Sequence, residues 1–147
     1  MRVYIAATVA QLDSCTSGHW APASGYAVTE RLREISASDD GDELAEQARD
    51  VAALESVVES GSPLRVVIVV DYPRADVTPL PDVHPAAVAL EGRVLAGDVA
   101  CAFVDDLAAY EDAKQALAGG PDALERLEEH DLLWYDVSEL GRVPRPS

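Results

Sequence analysis

Four aspartates stand where an apolar run ends. Asp71 follows Val66–Val70, Asp105 and Asp106 follow Val99–Val104, and Asp136 follows Leu132–Tyr135. If those runs are parallel strands, their carboxyl ends share one edge, where open α/β sheets bind ligands. Asp71, Asp105 and Asp136 would then offer hard oxygen ligands to Mg²⁺, or a counter-charge to a cationic group. That is the arrangement of a small metal-dependent enzyme or ligand binder. Local chemistry gives the same residues a second reading. Asp105 and Asp136 stand at helix starts, where a carboxylate caps backbone N–H groups, and Asp71 stands at a turn. If the strand from Leu64 runs opposite to the first strand, Asp71 leaves the cluster.

Other reactive residues are less organised. Cys15 and His19 are four apart, but Ser17-Gly18 breaks the helix that would align them, and no second ligand pair is near. Structural zinc sites show tight paired spacings. Cys101 sits in an apolar run, where a thiol is inert, and nothing adjacent activates Cys15. There is no P-loop, no glycine-rich dinucleotide fingerprint and no nucleophile elbow. No catalytic residue is assigned, and no cofactor beyond Mg²⁺ is implied.

The stretch His130-Asp131-Leu132-Leu133-Trp134-Tyr135-Asp136 concentrates polar and aromatic groups. Its reading is the end of a helix followed by a closing core strand. His130 suits the negative end of the helix dipole, and Trp134 shares a strand face with Leu132. A buried Trp134 would cost about 3–5 kcal/mol on truncation to alanine, and an exposed one under about 1 kcal/mol.

These residues need a scaffold. Residues 2–7 read as a strand, and Thr8 with Gln11 as a capping box for a helix stopping near Ser17-Gly18. Tyr26-Ala27-Val28 is a brief extended piece, and Thr29 caps a helix carrying Leu32 and Ile35. Asp40 and Glu43 box a long helix to about Ser60, with an apolar stripe at Leu44, Ala48, Val51, Leu54 and Val58. Leu64–Val70 is apolar on both alternations apart from Arg65, so both of its faces are covered. Residues 73–85 hold four prolines and form a connection rather than a sheet interior. Residues 88–90 and 94–96 suggest a hairpin about Glu91-Gly92-Arg93. Val99–Val104 is a buried strand, and two helices follow, separated by Gly119-Gly120-Pro121. Asp136 and Glu139 box a final helical turn.

The order predicts one α/β domain over residues 1–141, with 142–147 a loose basic tail. It is a single-domain sandwich, a mixed sheet of four or five strands with helices packed on it. Two topologies fit: a ferredoxin-like split βαβ, in which case the class is α+β, or a small doubly wound sheet.

Composition limits the function. The 147 residues carry a net charge of −16, with a single lysine. That excludes nucleic acid and anionic membrane as direct partners, because neutralising phosphate takes Lys and Arg. Seventeen of the 27 acids lie in 39–59 and 105–131, two helical segments. They read as solvated helix faces, or as a surface for a basic partner. The five-residue apolar run at 66–70 cannot span a bilayer, and the N-terminus lacks the form of a signal peptide, so a cytoplasmic protein is expected.

The segments "MRVYIAAT", "GYAVTERLRE", "AFVDDLAAYEDA" and "EEHDLLWYDVSEL" together resemble a family of small uncharacterised proteins from actinobacteria, a domain of unknown function. The resemblance runs from Met1 to about Leu140 and fits stretch 15–24 least, which speaks against a family-wide role for Cys15. It implies a single domain and supplies no activity. The reading reached is a non-enzymatic domain acting through contacts with a protein partner, with self-association compatible. The alternatives are the aspartate-based metal site and an acidic decoy of a nucleic-acid-binding protein.

Overall fold

The computed structural model describes residues 1–37 and 39–146. Its centre is one sheet of seven strands, β1 (Arg2–Ala7), β2 (Ser24–Tyr26), β3 (Val66–Asp71), β4 (Val77–Pro79), β5 (Ala87–Leu90), β6 (Val99–Asp105) and β7 (Leu132–Asp136). The order is β4-β5-β2-β1-β3-β6-β7, and every neighbouring pair is antiparallel. The helices are α1 (Gln11–Ser14), α2 (Glu30–Ile35), α3 (Gly41–Val58), α4 (Tyr110–Leu117) and α5 (Ala123–Glu128).

The α/β composition is as predicted, but the sheet is neither mixed nor limited to five strands. It is neither ferredoxin-like nor doubly wound. Both of those topologies need strands flanking a helix to run parallel. Here β1 and β3, and likewise β6 and β7, are joined through helices and are direct antiparallel neighbours. Of the short strands, β5 falls where an extended arm is expected at 88–90, β2 meets the expected extended piece only at Tyr26, and β4, hidden from the sequence, has three residues. That is too short for an alternation to show. The 94–96 segment forms no strand; β5 pairs instead with β4 and β2.

Two apolar layers sandwich the sheet. Val3, Ile5, Ile68, Val70, Ala102 and Val104 meet α1 and the segment around Leu140 on one face. Val67, Val69 and Cys101 meet α2 and α3 on the other. β3 is therefore buried on both alternations, as its composition requires. The stripe of α3 begins at Leu44 and Ala48 as predicted. It then continues through Ala52, Ala53, Ser56 and Val57, while Val58 is exposed. Small side chains let the helix lie close on the strands, so bulky Val51 and Leu54 are left at its margin.

The caps follow the sequence in part. Thr29 accepts from the Leu32 N–H and Asp40 from the Asp42 N–H, while Asp136 and Glu139 complete a capping box. Helix α1 is a single turn ending at Ser14, short of Ser17-Gly18. Only half of the Thr8 box forms, Gln11 Oε1 accepting from the Thr8 N–H.

The C-terminal segment is docked rather than loose. Val143 is 4% exposed in the core layer below α1. Arg145 donates to both Asp13 carboxylate oxygens, at 2.8 and 3.0 Å, and to the Leu140 carbonyl. The domain therefore extends past residue 141 to at least Arg145; Ser147 lies outside the described residues.

Close approach of β2 to β1 depends on Gly25. A Cβ there would sit 2.6 Å from Val3 Cγ1 and 3.1 Å from the Tyr4 carbonyl oxygen. Val3 is itself fully buried and has nowhere to move. Gly25→Ala is expected to destabilise the fold by about 1–3 kcal/mol through overpacking. Urea denaturation would show this as a lower midpoint at unchanged slope.

Candidate functional surface

Antiparallel pairing decides where the predicted ligands go. β3 and β6 run in opposite directions, so Asp71 and Asp105 lie at opposite ends of the sheet. Asp105 sits beside Arg65, six residues before Asp71 on β3, a separation of about 20 Å along an extended strand. Asp71 and Asp136 do share one end of the sheet, because β3 and β7 both run opposite to β6, but Asp105 lies at the other end, so the three-carboxylate cluster expected of a parallel sheet does not form. Asp71 accepts from Arg2 at 3.1 and 3.2 Å on the surface. Asp136 is held by Ser138 as a cap, and those hydrogen bonds keep its carboxyl below the usual range. Asp106 caps the following turn through the Ala108 N–H. No group of three or more His, Cys, Asp or Glu side chains among the described residues could hold a metal ion.

Asp105 has a different role from the predicted cap. It is fully buried and takes Arg65 Nε and Nη2 at 2.8–3.1 Å, together with the Arg65 backbone N–H at 2.9 Å. Arg65 Nη2 also donates to the His130 carbonyl at 2.8 Å. This pair ties the start of β3, the end of β6 and the approach to β7. Its signal in the sequence was the lone charge, Arg65, in an otherwise apolar run.

The cysteines and histidines do not converge. Cys15 and Cys101 are both buried and free, and burial pushes both thiols up, away from nucleophilic character. His84 packs edge-on against Tyr26, and its Nδ1 accepts from the Ala86 N–H. His130 Nε2 lies 2.9 Å from Asp112 Oδ2, and Arg126 reaches the other oxygen at 3.0 Å.

Those contacts carry a pH dependence. The His130 hydrogen bond, then that from Arg126, holds the Asp112 carboxyl below its ordinary value; Arg145 does the same for Asp13. A carboxyl depressed in the folded state contributes stability that is complete above its unfolded pKa, about 4, and disappears as pH falls through the folded value. Thermal melts should therefore be lowered progressively below about pH 4. Asp112→Asn should flatten that acid limb.

The edges of the sheet are unequal. β4 is three residues long and ends in Pro79, which blunts it as a pairing template. β7 has five residues and no proline. It is not the buried core strand predicted: Trp134 is 57% and Leu133 38% exposed. The Asp136 N–H turns to Glu139 Oε1 at 3.0 Å rather than to β6. By strand alternation, Leu132 and Trp134 also direct their backbone N–H and C=O outward, to the open side of the sheet. Trp134 stands opposite Phe103, whose ring lies 5.2 Å from the Arg49 guanidinium of α3.

Beside this strand is a polar cavity of about 480 Å³, lined by Arg49, Asp50, Glu128, His130, Asp131 and Leu132 among others. Its basic side chains are engaged. Arg49 is paired to Asp50, Arg65 to Asp105, and His130 to Asp112. The cavity thus presents hydrogen-bonding groups rather than an activated nucleophile or base. No helix among the described residues is long and apolar enough to cross a membrane.

The profile of a family of unknown function, DUF6912, matches residues 1–143. The chain belongs to that family. The DUF6912 match spans β1 through β7 and takes in Val143 of the docked C-terminal segment. No curated protein and no solved structure matches the chain.

Proposed function

We propose that this domain is a non-enzymatic interaction module that accepts an extended segment of a protein partner along β7. One observation carries the reading: the sheet ends in an unblunted strand that displays Trp134 beside outward-facing backbone groups. Strand addition draws affinity from main-chain hydrogen bonds and specificity from alternate side chains. Trp134 would supply the apolar anchor, a residue type favoured at interface hot spots. The adjoining cavity would receive a polar side chain of the partner. With a net charge of −16, the chain favours a basic segment and disfavours self-association along β7. A cytoplasmic setting in an actinobacterium belongs to the same proposal, on the strength of the composition and the resemblance.

A random peptide library displayed against the purified domain tests this. Selected peptides are expected to be strand-forming and cationic, and to protect the Leu132 and Trp134 amides from hydrogen exchange. Trp134→Ala should abolish their binding while costing under about 1 kcal/mol of stability, the range of an exposed substitution. Peptides that bind the variant as well as the parent would remove β7 as the docking site. Turnover of a metabolite in an unbiased screen would remove the non-enzymatic reading.

A further inference from the structure

A second cavity, of about 150 Å³, lies where β3 ends. Its floor is apolar: Val70, Tyr72 and Val94 belong to the core layer on the α1 side of the sheet. Its rim is acidic, with Asp76, Glu91 and Asp98. Asp71, also on the rim, is neutralised by Arg2. Among the described residues no ion pair engages the other three carboxylates, and one cation, Arg93, stands beside them. Asp76 and Asp98 are half-buried, so a cation brought to them would be less screened than on an open surface.

Tyr72 supplies an independent sign. It is 6% exposed, and its hydroxyl is buried with no hydrogen-bond partner among the described residues. A phenylalanine would fill the same space without that cost. Burial first, and then the charges of Asp76 and Asp98, push the phenol up to about 12. The hydroxyl is thus neutral near pH 7, within electrostatic reach of both carboxylates, and has an oxygen free to accept.

We propose that this cavity binds a cationic amine head group, of the kind carried by an alkylammonium or a lysine side chain. An ammonium has three N–H donors. They match the Tyr72 oxygen and the carboxylates of Asp76 and Asp98, while Val70 and Val94 receive the adjoining methylenes. The volume admits a head group and not a whole drug-sized ligand. A bare divalent cation fits less well, because it needs six or more oxygen ligands drawn tightly together. The site uses none of the residues of β7, so each stands or falls alone.

The test is an amide-resolved NMR titration of the full chain with two probes. One is butylammonium chloride; the other is a short peptide with a single lysine, paired with its acetyl-lysine form. Saturable shifts confined to 70–76 and 91–98, with no response to the acetylated peptide, are the expected result. Tyr72→Phe and the double variant Asp76→Asn/Asp98→Asn should each weaken binding about tenfold. Glu43→Gln/Glu46→Gln, with the same charge change on α3, should leave it intact. A lysine peptide that binds at least tenfold tighter than butylammonium assigns the head group to a protein; equal affinities assign it to a free amine. Shifts scattered over the acidic helices, or binding indifferent to Tyr72→Phe, would overturn the proposal. So would an amine-soaked crystal with only an ordered water between Tyr72 and the carboxylates.

Discussion

Asp105→Ala is expected to cost about 3–5 kcal/mol, the range for breaking a buried ion pair by removing one partner. Domains of this size have about 5–15 kcal/mol in total. The variant would therefore be partly unfolded near 37 °C or melt many degrees lower. The loss has two sources. Arg65 would keep its charge at 6% side-chain exposure with only the His130 carbonyl to hold it, and the Arg65 backbone N–H would lose its acceptor. The double variant Arg65→Met/Asp105→Leu separates them. With both charges gone the electrostatic penalty vanishes, leaving the orphaned amide at about 1–3 kcal/mol. The double variant should thus be more stable than Asp105→Ala by urea denaturation. If the double variant falls below the parent by more than the orphaned amide accounts for, the pair contributes net attraction beyond its own desolvation.

This pair also marks how far the sequence could be read. An aspartate after an apolar strand invited both a cap and a ligand. Antiparallel order, set by contacts between β3 and β6, made it neither. Nothing local in Val66–Asp71 or Val99–Asp105 encodes direction, because a strand buried on both faces looks the same in either sense. Local chemistry was legible where it sufficed: Thr29, Asp40 and Asp136 cap as their spacing to the following residues requires. The strong strands and long α3 were legible for the same reason. Trp134 reads as core because Leu-Leu-Trp-Tyr has a core composition, and only strand order places β7 at the rim. The docked C-terminus was invisible because Arg145 finds Asp13 across 132 residues of sequence. Tyr72 and the rim of its cavity come from β3 and from the loops before β4 and β6, and no spacing announces such an assembly.

Ser56→Ala should cost about 2–4 kcal/mol, although it removes a single oxygen from a helix and leaves every apolar contact in place. Ser56 is fully buried on the sheet side of α3. Its hydroxyl donates to the Ala7 carbonyl and accepts from the Val66 N–H at 2.9 Å. Ala7 and Val66 are register partners, the last pair of the β1–β3 ladder. The hydroxyl therefore splices the helix into the sheet at the point where strand pairing runs out. Alanine cannot serve either group, and water has no access to a fully buried position, so a donor and an acceptor are left unpaired together. Each such loss costs about 1–3 kcal/mol, far more than the small gain in helix propensity from serine to alanine. Ser60→Ala, exposed just beyond the same helix, is the matched control and should stay within about 0.5 kcal/mol of the parent. Hydrogen exchange adds a local readout: the Val66 amide should lose protection in Ser56→Ala by more than the global destabilisation accounts for. Equal loss at Val66 and at mid-strand Ile68 would mean that the hydroxyl is only a packing group and that the end of the ladder closes without it.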